Sequence, residues 1–345
     1  MSLEVYTLDQ NERWDEIVRS FNDYDTYWLS GYVKAFEIHG DGVPLLFYYE
    51  DSNTRGINVV MKRDIADDSH FQNKLPKDTY FDFSTPYGYG GWLIEGNENI
   101  NLFSKYESWC RKNGVISEFV RFHPVIENQF LCESAYDVIK LGKTVCLDLT
   151  SPDVIWANIT SKNRNMIRKA KKTGITIYMG RYPEIFKEFR EIYNRTMDKD
   201  NANEYYYFEP DFYDSVLNDL PENAQIFFAE HEGKIIAASI MLIANGKMNY
   251  HLSGSISEFS KLAPSNLLLY KAALWGCANG CKTLYLGGGV GSGEDSLFKF
   301  KKAFNRKDDD KSFYIGKKIF LVEKYEELLS KRENIDSAFF PKYRA

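Results

Sequence analysis

The feature that most constrains the fold of this chain is a buried strand that ends in three glycines and is followed by a basic helix. The strand begins at Thr283 and leads into the glycine run, which consists of Gly287, Gly288 and Gly289. After a short polar loop, residues 296–305 predict a helix that carries Lys301 among aromatic residues. Glycine has no Cβ, so a ligand can approach the backbone of such a strand end closely. A glycine run alone is equally typical of a plain turn, but its pairing with this helix predicts a ligand site at a sheet edge.

Length and charge limit the number of domains and the kinds of partner. A chain of 345 residues exceeds what one hydrophobic core usually supports, so we expect two domains, 1–150 and 151–345. The 24 tyrosines and 24 phenylalanines favour sheets and clefts over helical bundles. A net charge of −6 argues against a protein whose whole surface binds nucleic acid or anionic membrane, although it permits a local basic patch.

The cysteines and the hydropathy pattern predict a cytoplasmic protein. The five cysteines form no Cys-x-x-Cys pair and have no histidine at metal-ligand spacing, which is typical of buried thiols in a reducing compartment. The first residues lack a basic region followed by an apolar one, so no signal peptide is expected. The longest nearly apolar run, 235–244, is too short for a transmembrane segment. We therefore expect no membrane span and no metal.

The segment 161–172 has an unusual excess of positive charge. It contains six lysines and arginines and no acidic residue, within a chain that is negative overall. A helix here aligns Arg164, Arg168 and Lys171 on one face, and like charges at this spacing repel by a few tenths of a kcal/mol. One interpretation is that this helix face is simply exposed to solvent and binds nothing. We favour the other alternative, the binding of phosphate or another polyanion.

Three features of the first half are also candidates for ligand binding. Segment 80–92 combines Pro86 and several glycines with aromatic residues that include Tyr87 and Tyr89, and it predicts a cleft-lining loop rather than a packed turn. The strand 115–122 delivers Arg121, which is either a buried structural cation or an anion ligand. Lys34 lies on a predicted helix over 26–40. The simplest interpretation there is a lysine that is exposed to solvent and binds no ligand.

Six motifs occur in order along the chain: Pro86-Tyr-Gly-Tyr-Gly-Gly91, Arg121-Phe-His-Pro124, Lys162-Asn-Arg-Asn-Met-Ile-Arg-Lys-Ala170, Tyr250-His-Leu-Ser253, Leu286-Gly-Gly-Gly289 and Phe300-Lys-Lys-Ala-Phe304. These motifs and the order of the predicted elements resemble the Fem branch of the GNAT-like acyltransferases, which includes the peptidoglycan-bridge aminoacyltransferases and their BioF2-like relatives. The resemblance implies an α/β (α+β) fold with two tandem GNAT-like domains, each a mixed, mainly antiparallel sheet flanked by helices.

The resemblance also implies an activity and roles for particular residues. In Fem enzymes an amine of a cell-wall precursor attacks the ester carbonyl of an aminoacyl-tRNA. By position, Arg164 matches an arginine that holds substrate phosphate, Lys34 matches a lysine of the first domain with the same role, and Lys301 matches a lysine near the transferred acyl group. The expected function is acyl or aminoacyl transfer to an amine of a phosphate-bearing cell-wall or amino-sugar precursor, with no bound cofactor.

The acyl donor is left open between aminoacyl-tRNA and acyl-CoA. CoA-dependent GNAT enzymes bind diphosphate on an Arg/Gln-x-x-Gly-x-Gly/Ala loop, whereas residues 253–263 have no such pattern and include Glu258. The long helical hairpin with which some Fem enzymes contact tRNA is also missing from the pattern. Two alternatives therefore stand beside the Fem-type enzyme: a CoA-dependent N-acyltransferase with a diverged phosphate loop, and a non-catalytic ligand-binding module.

Overall fold

The computed structural model describes residues 2–96, 100–333 and 338–345, with Ser292 described by its backbone alone. The chain divides into two compact units, Met1–Leu141 with Phe313–Ala345, and Gly142–Ser312. The sequence-based division at residue 150 counted residues 313–345 with the second domain. They belong to the first unit because the strand that contains Ile315 pairs with the strand that contains Arg121.

Strands and helices are interspersed along the described residues. The strands are β1 Ser2–Tyr6, β2 Val43–Glu50, β3 Thr54–Asp64, β4 Phe81–Ser84, β5 Leu93–Gly96, β6 Val115–Arg121, β7 Asp137–Asp148, β8 Thr176–Gly180, β9 Ala224–His231, β10 Lys234–Ala244, β11 Lys247–Ser255, β12 Thr283–Gly287 and β13 Lys311–Ile319. The helices are α1 Asn11–Ser20, α2 Ser30–His39, α3 Ile100–Lys112, α4 Pro152–Asn158, α5 Ser161–Lys172, α6 Pro183–Lys199, α7 Pro210–Asp219, α8 Pro264–Ala278, α9 Ser296–Lys302 and α10 Val322–Ser330.

The first unit contains a mixed sheet with the strand order β1-β2-β3-β4-β6-β13, and β5 pairs with β3 at one side. Only β4 and β6 are parallel neighbours in this order. The core under α3 is largely aromatic, and it encloses one carboxylate, that of Glu118 on β6. Three donors bind this carboxylate: the Nδ2 of Asn58 at 2.9 Å and the hydroxyls of Tyr136 at 2.8 Å and Tyr106 at 3.1 Å.

The second unit has the strand order β7-β12-β11-β10-β9-β8, in which β11 and β12 are the parallel neighbours. Helix α8 is apolar on nearly all sides and packs its leucines and alanines into the core of this unit. Helix α5 buries Ile167 and Ala170 in the same core, since these residues recur at helical spacing. The opposite face of α5 carries its arginines and lysines toward solvent.

The predicted fold class is confirmed, since each unit contains a mixed, mainly antiparallel sheet with flanking helices. One local prediction was wrong. Residues Phe81–Ser84 form the central strand β4 rather than part of a loop, because Pro86 and the glycines follow the strand instead of interrupting it.

Candidate active site

The centre of the second unit is a parallel strand pair that stays together for only three residues. Lys247, Met248 and Asn249 of β11 pair with Thr283, Leu284 and Tyr285 of β12. Beyond that point the two strands are no longer paired, although β11 remains paired with β10 as far as Ser255. Past these three residues, the backbone groups of β11 and β12 on the edges that face each other are not used in pairing between the two strands.

A β-bulge on β11 lies at the start of this opening. Ile240 of β10 faces Leu252, whereas the next residue, Met241, faces Tyr250, so His251 is the extra residue of the bulge. Bulges are common beside active sites because they redirect backbone groups and side chains. Burial lowers the pKa of His251 to about 3, so its imidazole is neutral near neutral pH.

The predicted glycine run forms the end of β12 and the turn after it. Gly287 has a φ of +77°, a backbone conformation that side chains disfavour. A Cβ at Gly288 would lie 3.0 Å from the carbonyl oxygen of Lys143. A Cβ at Gly289 would lie only 2.3 Å from Oδ1 of Asp295. The local packing therefore requires glycine here whether or not a ligand binds.

The side chain of Lys301 returns from α9 to this turn. Its Nζ donates a hydrogen bond of 2.7 Å to the carbonyl oxygen of Gly288, and the residue is only 9% exposed. Burial lowers the pKa of Lys301 to about 8, and the negative charge of Asp295 acts in the opposite direction. The structure thus brings Lys301 and Gly288 together, as the sequence pattern suggested, while their roles remain predictions.

Asp295 is a residue that the sequence interpretation missed. Its Oδ1 accepts a hydrogen bond of 2.8 Å from the backbone N–H of Phe298, as an N-cap residue does. Its Oδ2 accepts a bond of equal length from the N–H of Val290. The available signal was an aspartate one position before the predicted helix, which indicates a cap but not the second bond.

The basic helix α5 begins beside the end of α9. The N–H of Thr160 donates to the carbonyl oxygen of Ala303 at 3.0 Å, and the N–H of Arg306 donates to that of Asn158 at 2.9 Å. Arg164 lies one turn into α5, and Lys301 lies two residues before Ala303. These bonds place the elements that carry Arg164 and Lys301 against each other within the second unit.

The two arginines of α5 flank the half-buried ring of Trp156. The guanidinium carbons of Arg164 and Arg168 lie 5.9 and 5.3 Å from the ring centroid. Their hydrogen bonds go to neutral neighbours on the same helix, Ser161 and Asn165. Neither arginine forms an ion pair with any residue in the part of the chain that the structure describes. The helix therefore presents two cations on an aromatic support, an arrangement that suits an anionic ligand.

A cleft of about 390 Å³ lies next to these elements, and the sequence interpretation did not anticipate it. Its lining residues come from α9, the segment before it, the residue after it, the N-cap of α5 and the loop after α9: Thr160, Glu294, Phe298, Lys299, Lys302, Ala303 and Arg306. Neither Lys301 nor Arg164 lines this cleft.

The predicted aromatic loop of the first unit is well packed but only partly buried. The ring of Tyr87 stacks on Phe36 with centroids 5.5 Å apart, and Tyr89 meets Tyr27 edge to face at the same distance. A Cβ at Gly88 would lie 2.5 Å from Tyr27, so the loop is closely fitted to the segment before α2. Lys34 is exposed on α2.

Arg121 combines the two interpretations that the sequence left open. Its Nε donates to the carbonyl oxygen of Gly88 at 2.8 Å, and its guanidinium lies 4.9 Å from the ring of Phe313 and 5.9 Å from that of Tyr89. Its two terminal nitrogens form no hydrogen bond with any described residue. The inner edge of the group is thus structural, and the outer edge is oriented and available for an anion.

A buried pair of His123 and Asp25 lies behind this cluster. The His123 Nε2 is 3.0 Å from Oδ2 of Asp25, and both side chains are fully buried. The other ring nitrogen accepts bonds from the backbone N–H groups of Val125 and Ile126 at 3.2 and 3.3 Å. This requires the tautomer in which Nε2 carries the proton, so that the Nε2–H group donates a hydrogen bond to Asp25. The pair holds the chain after β6 in place, and the Arg121-Phe-His-Pro motif was its only sequence signal.

The placement of acidic, thiol and imidazole side chains and the length of the helices bear on metals and membranes. In residues 2–96, 100–333 and 338–345, no group of three or more His, Cys, Asp or Glu side chains is arranged to hold a metal ion. Over the same ranges, none of the helices has both the length and the apolar character that crossing a bilayer requires.

Comparisons with known proteins agree with this geometry. Residues 160–302 match the family model of the acetyltransferase (GNAT) domain. No curated protein matches the chain in sequence. Among solved structures, FemX superposes with a TM-score of 0.69 at 14% identity, covering 96% of this chain and all of FemX. The C-terminal domain of a putative lysylphosphatidylglycerol synthetase from Agrobacterium fabrum has a TM-score of 0.57 at 15% identity, with 93% of this chain and 96% of that domain covered.

A third structure bears on the number of domains. A tandem GNAT protein from the clavulanic acid biosynthesis pathway matches with a TM-score of 0.51 at 7% identity, covering 92% of this chain and 99% of that one. The predicted fold of two tandem GNAT-like domains is thereby confirmed. Residues 160–302 thus match a GNAT domain in sequence, and the chain as a whole has a fold similar to that of FemX.

Proposed function

We propose that this protein is an enzyme that transfers an acyl or aminoacyl group to an amine of a phosphate-bearing cell-wall or amino-sugar precursor. The GNAT acyltransferase domain and the Fem-like fold support acyl transfer in general. The more specific part of the proposal is that the acceptor is a phosphate-bearing precursor. It is supported by the cations on α5 and at Arg121, which form no ion pair with described residues. Peptidoglycan precursors belong to this class of acceptor.

The observation that carries the proposal is the hydrogen bond from Lys301 to Gly288 at the open end of β12. When an amine attacks an ester or thioester carbonyl, negative charge develops on the carbonyl oxygen before the alcohol or thiol leaves. A fixed ammonium group stabilises that oxyanion, and the loss of one such donor typically costs about 10²–10³ in rate. With a pKa of about 8, Lys301 is mostly charged at neutral pH and serves as this donor.

Substrate phosphates are the proposed ligands of the unpaired cations. Arg164 and Arg168 are held against Trp156 and offer planar guanidinium groups, which match phosphate oxygens in geometry. In the first unit, Arg121 offers its outer edge, Tyr87 and Tyr89 offer partly exposed rings, and Lys34 is a further exposed cation. Each unit thus contains its own set of candidate binding residues.

The segment before α8 favours an acyl donor other than acyl-CoA. In this chain it is a 3-10 helix, Ser257–Leu262, and the N–H groups of Phe259 and Ala263 already bond to Ile256 and Ser260. Pro264 has no N–H, and the exposed Glu258 adds a negative charge. A diphosphate needs free N–H donors and positive charge. Aminoacyl-tRNA is therefore the proposed donor, and acyl-CoA with a diverged site is the alternative.

The catalytic assignment is tested with Lys301→Ala, assayed with a UDP-linked amino-sugar peptide and either aminoacyl-tRNA or acyl-CoA. We expect transfer to fall about 10²–10³-fold, because the oxyanion loses its donor. Lys187→Ala is the matched control, since it removes an exposed lysine from α6 in the same unit. Full activity of a correctly folded Lys301→Ala protein would refute the assignment.

Calorimetry and thermal shift separate the three classes of function. A ligand at a hundredfold excess over its Kd stabilises the native state by about 2.7 kcal/mol. Binding of the UDP-linked precursor without CoA binding supports the proposal, whereas binding of acetyl-CoA or longer acyl-CoAs supports the CoA-dependent alternative. Tight binding of the precursor with no turnover by either donor would identify a binding module.

A further inference from the structure

The carboxylate of Asp295 joins the glycine turn to the start of α9. One oxygen accepts the N–H of Val290, directly after the glycine run, and the other accepts the N–H of Phe298 in the first turn of α9. The carboxylate occupies the space where a side chain at Gly289 would lie, because Oδ1 is 2.3 Å from that Cβ position. Asp295 therefore holds the glycine turn to the first turn of α9, in addition to the bond that Lys301 makes to Gly288.

Both of these bonds affect the surroundings of Lys301. The carbonyl oxygen of Gly288, which accepts the hydrogen bond from Lys301, lies two residues before Val290. Phe298 lies one turn before Lys301 on α9. A shift of either segment would change the distance between the lysine and the strand end. The negative charge of Asp295 also favours the charged form of Lys301, and burial opposes it.

We propose that Asp295 is a positioning residue for acyl transfer, which holds the glycine turn against α9 and keeps the Lys301 ammonium charged and directed at the open end of β12. This inference rests on the proposed catalytic role of Lys301. Asp295 can act in this way because its two backbone donors lower its own pKa and keep it ionised.

The competing explanation is that Asp295 only caps α9. Two variants separate the explanations. Asp295→Asn keeps the shape and one acceptor oxygen but removes the charge and the second acceptor. Asp295→Ser keeps a capping hydroxyl but removes the bond to Val290 and the charge. Ser151→Ala is the control, because it removes the N-cap bond of α4 to Val154, 3.2 Å long, without any contact with Lys301.

The first test needs no substrate. The full chain is labelled with acetic anhydride at a series of pH values, and acetylation of Lys301 is measured by mass spectrometry with Lys299 as the internal reference. We expect the midpoint of Lys301 labelling to fall below its wild-type value in both Asp295 variants, because a nearby negative charge is lost. Ser151→Ala is expected to leave the midpoint unchanged. An unchanged midpoint in Asp295→Asn would overturn the proposal.

The second test measures transfer over a range of pH. We expect Asp295→Asn and Asp295→Ser to reduce kcat about tenfold to a hundredfold with little change in KM, since a displacement of about 1 Å at a reacting centre costs up to about 10² in rate. The alkaline limb of the pH profile should move to lower pH. An unchanged kcat and pH profile would overturn the proposal. If Lys301→Ala retains activity, the catalytic role of Lys301 fails, while the labelling result still reports the Asp295–Lys301 interaction.

Discussion

Within the described residues, each unit contains one parallel strand pair with a helix in the connection between its strands, and the two pairs end differently. In the first unit, β4 pairs with β6 over its whole length, and the following loop continues the contact. The N–H of Thr85 donates to Phe119 at 3.0 Å, and that of Gly90 donates to Arg121 at 2.8 Å. In the second unit, β11 and β12 are paired for three residues only.

The difference indicates how two units of similar construction can have different roles. Where the pair is closed, an aromatic loop fills the strand ends and leaves the outer edge of Arg121 available for an anion. Where it is open, the Lys301 ammonium lies at the end of β12, bonded to the carbonyl oxygen of Gly288. We therefore expect chemistry at the second unit and recognition at the first, and the following predictions test that contrast.

The largest effect is expected from filling the glycine turn of the open pair. In Gly289→Ala the new Cβ would lie 2.3 Å from Asp295 Oδ1 and 2.5 Å from the carbonyl oxygen of Gly293, so the turn must move. We expect kcat to fall by about 10² or more, because Lys301 is displaced from its carbonyl partner.

The comparison variant is Gly90→Ala in the closed pair, whose Cβ would lie 2.9 Å from the Thr85 side chain. It should lower the free energy of unfolding by about 1–3 kcal/mol without a comparable loss of kcat. Steady-state kinetics and urea unfolding of both variants measure the contrast. Equal losses of kcat would show that the two pairs do not differ in role.

A smaller effect is expected from removing the available cation of the closed pair. Arg121→Ala should raise KM for the phosphate-bearing acceptor about tenfold to a hundredfold with little change in kcat, since a charged hydrogen bond contributes about 1.5–3 kcal/mol. Arg121→Lys should not restore KM, because lysine lacks the planar fork.

Arg55→Ala is the matched control for Arg121, because that guanidinium is already occupied by Glu95 and Ser20 in the same unit. It should change stability and leave KM near its wild-type value. A large fall in kcat with unchanged KM for Arg121→Ala would contradict a role in recognition.

The pH dependence of stability should also differ between the units. His251 of the second unit has its pKa lowered by burial from 6.5 to about 3 in the folded state. The unfolded chain then binds more protons between these values, so the stabilising contribution is full above about pH 6.5 and is lost as the pH falls toward 3. His251→Phe should lack this part of the acid destabilisation, as measured by urea unfolding at several pH values. An unchanged difference between variant and wild type over this range would contradict the shift.

Glu118 of the first unit should act in the opposite direction. Burial raises its pKa above 4.5, although Asn58, Tyr136 and Tyr106 partly offset this by hydrogen bonding. Its contribution is therefore full below about pH 4.5 and is lost as the pH rises through the folded-state pKa. Glu118→Gln should remove that loss, so the free energy of unfolding of the variant falls less with rising pH than that of the wild type. A steeper fall would contradict the direction of the shift.

Much of the second unit was predictable because its signals are local. The periodicity of α5, the charges of Arg164 and Arg168, and the glycine run before the Lys301 helix all lie within short segments. The first unit was less predictable. Strand β4 was taken for part of a loop because the residues after it break strands, and residues 313–345 were assigned to the second domain because their partner strand lies far back in the chain.

Local sequence patterns predicted most of the helices and strands, the positive charge of 161–172, and a strand that ends in glycines beside a lysine-bearing helix. Long-range folding separates β11 from β12 after three residues, bonds Lys301 to Gly288, joins Val290 to Phe298 through Asp295, and leaves the outer edge of Arg121 without a hydrogen-bond partner among the described residues. The physical reason is the separation along the chain over which each effect acts. Helix periodicity and charge act between near neighbours, whereas strand register and side-chain burial depend on residues that meet only after the chain has folded.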